Sequence, residues 1–232
     1  MIFKYLIIIY FLIFNVYIFK NKLKNNNLYN GKIILGTKLR SSIIWPLPNI
    51  IKYKPVMTQK EIKAFCFLMK QNNIYFEFGA GGSTNIASFY KVLSYSVDSD
   101  TKWHKLLKDD NITSNYITVD LNPGTFGYPG NNTTIEDIKK YIQAYKKDYN
   151  ADIILIDGRF RVACALDIFD KIRNDTIVLV HDYTHRKEYH ILENYYLKLH
   201  SWDSLACFIK KPNIRFIPKL IYYQYLKEPL LL

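Results

Sequence analysis

The sequence has few cysteines and lacks the cysteine spacing that zinc sites use. Three cysteines occur among 232 residues, and no two of them lie close together in the chain. Small disulfide scaffolds are dense in cysteine, and structural zinc sites pair cysteines only a few residues apart. The composition therefore excludes a disulfide scaffold and a cysteine-based zinc site.

Acidic side chains are absent from the first 60 residues, which carry ten basic ones. Residues 205–232 carry five basic side chains and one acidic, whereas residues 61–204 hold 17 basic and 19 acidic ones. The formal charge of +12 thus comes from the two ends. A nucleic-acid-binding domain would carry the basic excess on its folded part. Basic flanks beside an apolar segment instead favour an anionic membrane, so we expect a lipid bilayer, and no nucleic acid, as partner.

A long apolar run opens the chain. Residues 2–19 are interrupted only by Lys4 and Asn15, and about 18 such residues is the lower limit for spanning ~30 Å of hydrocarbon. A cleaved signal peptide has a shorter apolar region followed by a small-residue cleavage site, which residues 15–19 do not offer. A signal peptide and a buried core helix remain the alternatives. The sequence predicts a single-pass transmembrane anchor with a basic flank over residues 1–24.

Lysines concentrate after this run, and the positive-inside rule then places the globular part on the cytoplasmic side. Sequons for N-glycosylation, which matter only in a lumen, would instead favour a domain on the lumenal side. Their asparagines are Asn111, Asn131, Asn132 and Asn174. Such sequons arise easily in an asparagine-rich chain. We therefore predict a membrane protein with a cytoplasmic globular domain.

A linker is predicted over residues 25–57, a domain over 58–210 and a basic, aromatic tail over 211–232. Thr58 and Glu61 fit a capping box that opens a helix. Apolar runs then alternate with helix-length segments, and continuous apolar runs suit strands buried on both faces of a parallel sheet. We predict a doubly wound, mostly parallel α/β sheet. Its strands are expected at 74–78, 93–97, 116–119, 153–156, 177–180 and 205–209, with helices near 84–91, 102–108, 134–148, 161–173 and 187–198.

A glycine-rich turn follows the first predicted strand, over residues 77–84. Glycines allow a tight turn and close approach of a ligand, and the next helix offers its N-terminal N–H groups. Asp98, about 20 residues further on, ends the second strand and could accept hydrogen bonds from ribose hydroxyls. No G-K-[ST] follows, and Thr84 stands where a dinucleotide fingerprint has its third glycine. The pattern predicts a nucleoside-type cofactor site, with NAD as an open alternative.

Glu77, Gly79, Gly81 and Asp98 resemble the motifs of class I S-adenosylmethionine-dependent methyltransferases, an acidic residue before a G-x-G run and a ribose-binding acid. The resemblance covers roughly residues 58–210. It implies a Rossmann-like methyltransferase fold and S-adenosyl-L-methionine as cofactor, with the methionine part near the turn and Asp120 toward the adenine. The remaining candidate cofactor-binding residues in the turn are Ser83 and Thr84.

Two charged segments follow the fourth and fifth predicted strands. Carboxyl ends of parallel strands converge, so Asp157 and Asp182 are expected close together, either sharing a proton or binding a hard divalent cation. His181 is the candidate general base or acid, although it could merely hydrogen-bond within its turn. Three arginines suit capture of a carboxylate or phosphate on the substrate, although one could lie on the next helix; they are Arg159, Arg161 and Arg186.

These two aspartates are similar to the magnesium ligands of the catechol O-methyltransferase-like branch. That similarity implies Asp157 and Asp182 as metal ligands for Mg²⁺. In that branch the residue after the second aspartate is an asparagine that also binds the metal, whereas this chain has Tyr183 at that position. The loop over residues 121–130, with three glycines and two prolines, could close over the site as a lid or be a plain connection.

Together these features predict a membrane-anchored S-adenosylmethionine-dependent methyltransferase-like protein. We expect O-methylation of a small or glycan-like, anionic acceptor, with His181, Asp157 and Asp182 as the catalytic residues. Two alternatives stay open. One is a non-catalytic, membrane-tethered interaction module. The other is a sugar-nucleotide glycosyltransferase, for which Asp98 and Asp100 would form a D-x-D motif.

Overall fold

The computed structural model describes residues 51–124 and 127–226, apart from the side chain of Leu220. The predicted transmembrane anchor and the predicted linker as far as residue 50 lie outside the described residues. Within the described part of the chain, every helix is too short or too polar to cross a bilayer.

A seven-stranded sheet forms the centre of the described chain, in the order β3-β2-β1-β4-β5-β7-β6. The first five strands run parallel, and β7 runs antiparallel to both of its neighbours. The prediction of a mostly parallel α/β sheet is confirmed. The strands are β1 (Ile74–Phe78), β2 (Leu93–Asp98), β3 (Asn115–Thr118), β4 (Ile153–Ile156), β5 (Ile177–Val180), β6 (Tyr196–Trp202) and β7 (Leu205–Lys210).

Helices lie between the strands, and two separate apolar cores form against the sheet. Ile153 and Leu155 of β4 pack in one core with the first two helices of the chain, while Ile154 and Ile156 pack in the other with the fourth and fifth helices. Successive side chains of a strand point to opposite faces, which explains why β4 is apolar throughout. The helices are α1 (Gln59–Met69), α2 (Gly82–Phe89), α3 (Thr101–Asp109), α4 (Ile135–Ile142), α5 (Arg161–Ile168) and α6 (Lys219–Gln224).

The start of α1 is the predicted capping box. The Thr58 hydroxyl accepts a hydrogen bond from the Glu61 N–H, and the Glu61 carboxylate accepts one from the Thr58 N–H. Residues 51–55, part of the predicted linker, pack onto the same face of the sheet. Ile51 is buried in the core with α1, and a Cβ added at Gly82 would lie 2.1 Å from the Pro55 nitrogen.

The helix predicted near residues 187–198 is confirmed only in its first part and as a different type of helix. A 3₁₀ helix spans Lys187–Asn194, and the edge strand β6 begins at Tyr196. Asp203 adopts a left-handed backbone with φ of 50°, and it turns β6 back onto β7. Residues 196–202 form a strand because they pair with β7 in this hairpin, and not because of their local apolar pattern. The segments 134–148 and 161–173 also hold shorter α-helices than predicted, and α6 forms in the predicted tail.

Candidate functional site

The strand order reverses between β1 and β4, because β2 and β3 lie on one side of β1 while β4 and β5 lie on the other. Ligands of open α/β sheets bind outside the carboxyl ends of the strands at such a switch point. The residues that follow β1, β2, β4 and β5 all reach this edge of the sheet. They include the glycine turn, Asp98, Asp157 and His181.

The glycine turn after β1 packs directly against the turn after β4. Gly79 has a φ of +95°, and a Cβ there would lie 2.7 Å from the Gly158 nitrogen, so glycine is required at this contact. Gly81 differs, because the nearest atom to a Cβ there is Nε1 of Trp103 at 4.0 Å. Space is therefore open beside Gly81 at the mouth of the turn.

Glu77 lies beneath the turn and is fully buried. Its carboxylate accepts hydrogen bonds from four hydroxyls, which belong to Tyr75, Ser83, Thr84 and Ser96. Burial raises the pKa of Glu77 to about 7, against the opposing effect of these hydroxyls. The prediction that this carboxylate contacts the cofactor is wrong, because its oxygens are occupied by protein hydroxyls.

The side chains of Ser83 and Thr84 share this role. Both are buried and both donate to Glu77, and the Thr84 hydroxyl also accepts the Gly81 N–H at 2.8 Å. The prediction that they bind cofactor is therefore corrected for their hydroxyl groups, which hold the turn in shape. The network joins β1, β2 and the start of α2 underneath the crevice.

Asp98 lies at the end of β2 beside the turn, as predicted. One carboxylate oxygen accepts the Ala80 N–H at 2.8 Å, and the other accepts the Asp100 N–H at 2.9 Å. Burial raises the pKa of Asp98 to about 6, partly offset by these backbone donors. Each carboxylate oxygen has a second lone pair, so Asp98 can still accept a ligand hydroxyl.

Asp100 caps α3, since its carboxylate accepts the N–H groups of Lys102 and Trp103. A helix cap accounts for the second aspartate of the D-x-D sequence, and the glycosyltransferase alternative loses its only motif. Trp103 was not singled out by the sequence pattern. Its indole N–H donates to the Ala80 carbonyl at 2.7 Å, and its ring meets that of Tyr53 edge-on.

Asp120 lies beyond β3 and is exposed. Its carboxylate accepts the Asn122 N–H at 2.7 Å, a local turn that opens the loop over residues 121–130. Because β3 neighbours β2, Asp120 lies on the Asp98 side of the crevice. Its predicted place toward an adenine stays a prediction.

The expected convergence of the groups after β4 and β5 is confirmed. His181 Nδ1 lies 2.8 Å from Asp157 Oδ1 and 3.8 Å from Asp182 Oδ1. Burial lowers the pKa of His181, but the hydrogen bond and charge of Asp157, with the charge of Asp182, outweigh it and leave the pKa raised. The predicted catalytic residues thus lie together at the crevice, with His181 and Asp157 sharing a hydrogen bond and Asp182 within ion-pair distance of His181.

Glu61 also reaches this group, and the sequence indicated only its capping role. Its Oε2 lies 3.5 Å from His181 Nε2, while Oε1 accepts hydrogen bonds from Ser204 and Leu205. Burial raises the pKa of Glu61, but the donors from Thr58 and Ser204 leave it lowered. The β6–β7 hairpin brings these donors to Glu61. Because the hairpin itself was missed, the contact had no local signal.

Arg161 is the first residue of α5 and is 5% exposed. Its guanidinium donates to the backbone carbonyls of Gly158, His181 and Asp157, and it contacts the Asp182 carboxylate at 3.0 Å. The prediction that Arg161 binds the substrate or lies on the surface of the helix is wrong, because these contacts bury it between the two strand ends. Burial raises the pKa of Asp182, but Arg161, His181 and Arg186 leave it lowered.

A metal ion was expected between Asp157 and Asp182. Ligand atoms of these residues and His181 all lie within 4.8 Å of one another. However, Arg161 already contacts one oxygen of each carboxylate, at 3.3 and 3.0 Å. A cation at 4 Å from this guanidinium would be repelled by about 4 kcal/mol for each unit of its charge. Tyr183, which stands in the third ligand position, is buried and donates to Glu193. The arrangement does not fit Mg²⁺.

The loop over residues 121–130 contacts both sides of the crevice. The Arg159 guanidinium lies 4.1 Å from the centre of the Tyr128 ring, and a Cβ added at Gly127 would lie 3.7 Å from the Ser99 hydroxyl. The described part of the loop thus reaches residues that follow β2 and β4. Arg186 lies at the rim, half-buried, 3.4 Å from Asp182 and over the Tyr189 ring.

Comparison with known proteins identifies the fold of the described domain. No family model matches the chain, and no curated protein matches it. A methyltransferase-like protein from Silicibacter pomeroyi is 24% identical with a TM-score of 0.65, covering 77% of this chain and 100% of that one. The described domain therefore has the Rossmann-like methyltransferase fold that the sequence resemblance implied.

Two further solved structures are more distant. MycE methyltransferase from the mycinamycin pathway, solved with Mg, SAH and mycinamycin VI, is 16% identical with a TM-score of 0.41, covering 69% of this chain and 48% of that one. A TehB-like SAM-dependent methyltransferase from Corynebacterium glutamicum is 13% identical with the same TM-score, covering 63% and 85%.

Proposed function

We propose that this chain is an S-adenosylmethionine-dependent methyltransferase acting on an oxygen nucleophile of a small or glycan-like, anionic acceptor. The observation that carries the proposal is the division of one crevice into two halves. Asp98 and the open space at Gly81 form one half, and the group of Asp157, His181 and Asp182 forms the other. A methyltransferase fold with this division can hold a donor beside an acceptor.

The residues on the donor side fit S-adenosylmethionine. A Cβ added at Gly81 would meet no atom closer than 4.0 Å, so a ligand could approach the backbone there, and Asp98 can accept the ribose hydroxyls with its remaining lone pairs. The N-terminus of α2 directly follows the turn, and the N–H groups and dipole of a helix N-terminus favour a carboxylate. When bound, the donor supplies an electrophilic methyl group on a positively charged sulfur. Asp120 would lie on the adenine side.

The acceptor side provides a place for a proton. Asp157 and His181 share a hydrogen bond, so either can take the proton that an acceptor hydroxyl loses as its oxygen is methylated. Asp182 is the more exposed of the two aspartates, and it orients the acceptor. Arg159 and Arg186 are the cations that would bind a carboxylate or phosphate on it. Most of the rate enhancement would come from positioning.

We propose further that the N-terminal apolar run anchors the chain in a bilayer with the domain on the cytoplasmic side. The support is the length of that run and the lysines that follow it. Resistance to alkaline carbonate extraction, together with protease access to the domain from the cytoplasmic side, would support this placement. Release by carbonate would contradict the anchor, and glycosylation at Asn131 would contradict the orientation.

The test of the catalytic proposal is methyl transfer from labelled donor to extracts separated into small-molecule, glycan and protein fractions. We expect label in a small-molecule or glycan fraction with the wild-type chain, and its loss with Asp157→Asn, which should still bind the donor. A chain that binds the donor but labels no fraction would favour the non-catalytic interaction module.

A further inference from the structure

The guanidinium of Arg161 lies between two carboxylates that a related metal-dependent site would use as ligands. It contacts Asp157 at 3.3 Å and Asp182 at 3.0 Å. We infer that Arg161 is the resident cation of this site, in the place of a divalent metal ion, and that the site works without a metal. This inference concerns the cation alone, so it stands or falls separately from the proposed methyl transfer.

The guanidinium is fixed by backbone atoms as well as by the carboxylates. Its three nitrogens donate to carbonyls in both turns, to Gly158 at 3.0 Å, to Asp157 at 2.9 Å and to His181 at 2.6 Å. The planar group thus has its donors directed at two strand ends at once. A side chain held by this many partners cannot swing away to admit a metal ion without breaking all of them.

The local backbone directs Arg161 to this position. The preceding residue, Phe160, has a left-handed backbone with φ of 54° and caps α5, so the chain turns sharply before the helix begins. Asp182 has a φ of 56°, which turns its carboxylate toward the guanidinium at the end of β5. The contact between Arg161 and Asp182 thus has a left-handed residue before one partner and at the other, and such conformations persist only where surrounding contacts maintain them.

The site already holds cations opposite its carboxylates. Asp157, Asp182 and Glu61 bring negative charge, while Arg161, Arg186 and the imidazole of His181 face them. An arginine stays charged at every pH that a folded protein tolerates. It therefore holds the two aspartates in place regardless of the supply of metal, and their other oxygens remain to orient a ligand hydroxyl.

The experiment measures binding of Mn²⁺ alone to the full-length chain after treatment with a chelator, by titration calorimetry and electron paramagnetic resonance. Wild type is compared with Arg161→Met, which removes the cation but keeps apolar volume, and with Arg161→Lys, which keeps a positive charge. Arg173→Met is the matched control, because Arg173 likewise bridges two aspartates, Asp152 and Asp175, away from His181.

We expect no specific Mn²⁺ site in wild type, in Arg161→Lys or in Arg173→Met. Arg161→Met should have a single site whose Kd is at least about tenfold lower than that of any residual binding by wild type, and adding Asp182→Asn should remove this site. Stoichiometric binding to wild type that Asp182→Asn abolishes would overturn the inference. So would a folded Arg161→Met that binds no more Mn²⁺ than wild type. If Arg161→Met does not fold, the wild-type titration with its Asp182→Asn control decides.

Discussion

Alanine at Gly79 and at Gly81 separates folding of the glycine turn from donor binding. At Gly79 the backbone is left-handed, with φ of +95°, and an added Cβ would lie 2.7 Å from the Gly158 nitrogen. Strained backbone costs about 1–3 kcal/mol, and overpacking costs about 1–3 kcal/mol more. We expect Gly79→Ala to lose several kcal/mol of the free energy of unfolding.

At Gly81 the nearest atom to an added Cβ is 4.0 Å away, in the Trp103 ring. The methyl group fits the protein without bound donor, so we expect the free energy of unfolding of Gly81→Ala to lie within about 0.5 kcal/mol of the wild-type value. It would nevertheless fill the space that the proposed donor needs. Folding and donor binding should therefore respond differently at two glycines of one turn.

The assay is thermal unfolding of the full-length chain with and without S-adenosylhomocysteine. A ligand at about 100 times its Kd stabilises by about 2.7 kcal/mol, and each kcal/mol shifts Tm by roughly 2–4 °C for a domain of this size. Wild type should therefore gain at least about 5 °C. Gly81→Ala should lose half of that gain or more, since a tenfold weaker ligand stabilises by only about 1.4 kcal/mol. An unchanged gain in Gly81→Ala would refute the placement of the donor, and a wild-type Tm in Gly79→Ala would refute the packing of the turn.

Three further perturbations test the groups around the crevice. Because burial raises the pKa of Glu77 from 4.5 to about 7, its stabilising contribution is full below pH 4.5 and is lost as the pH rises through 7. In urea unfolding, the free energy of unfolding of wild type should therefore fall by roughly 3 kcal/mol relative to that of Glu77→Gln between pH 4.5 and 8. Parallel pH profiles of the two chains would contradict this. Glu61→Ala should lower the free energy of unfolding by about 2–4 kcal/mol in the same assay, because Ser204 and Leu205 lose their acceptor. Glu61→Gln should recover most of this loss, and a loss under about 0.5 kcal/mol in Glu61→Ala would argue against the network. Tyr128→Ala should speed proteolysis of the loop over residues 121–130, because it removes the contact with Arg159. Tyr128→Phe keeps an aromatic ring and should not change the rate. Equal rates of proteolysis for the two variants would count against this contact.

Strands buried on both faces were predictable from the sequence, whereas the edge strand β6 was not. Every residue of β4, Ile153–Ile156, packs in one of the two cores, so its bounds follow from hydrophobicity alone. In β6 the sequence from Tyr196 to Trp202 is mixed, and only the two ends are buried. Its conformation depends on pairing with β7, which no local pattern reports.

The site divides in a similar way. Convergence of Asp157 with Asp182 follows from the parallel sheet, because they come one and two residues after the ends of neighbouring strands. The direction of a side chain does not follow from its position after a strand. Glu77 points into the protein because Ser96, in the next strand, supplies one of its hydroxyls. Arg161 is buried because two turns present their carbonyls to it.

The most direct measurement of the central claim is calorimetric titration of S-adenosylmethionine into the full-length chain, its Asp98→Asn variant and Asp109→Asn. Asp109 is exposed at the end of α3, so that variant carries the same change of charge away from the crevice. The account predicts saturable binding by wild type and Asp109→Asn and at least about tenfold weaker binding by Asp98→Asn. Equal binding by all three chains, or none by the wild type, would contradict it.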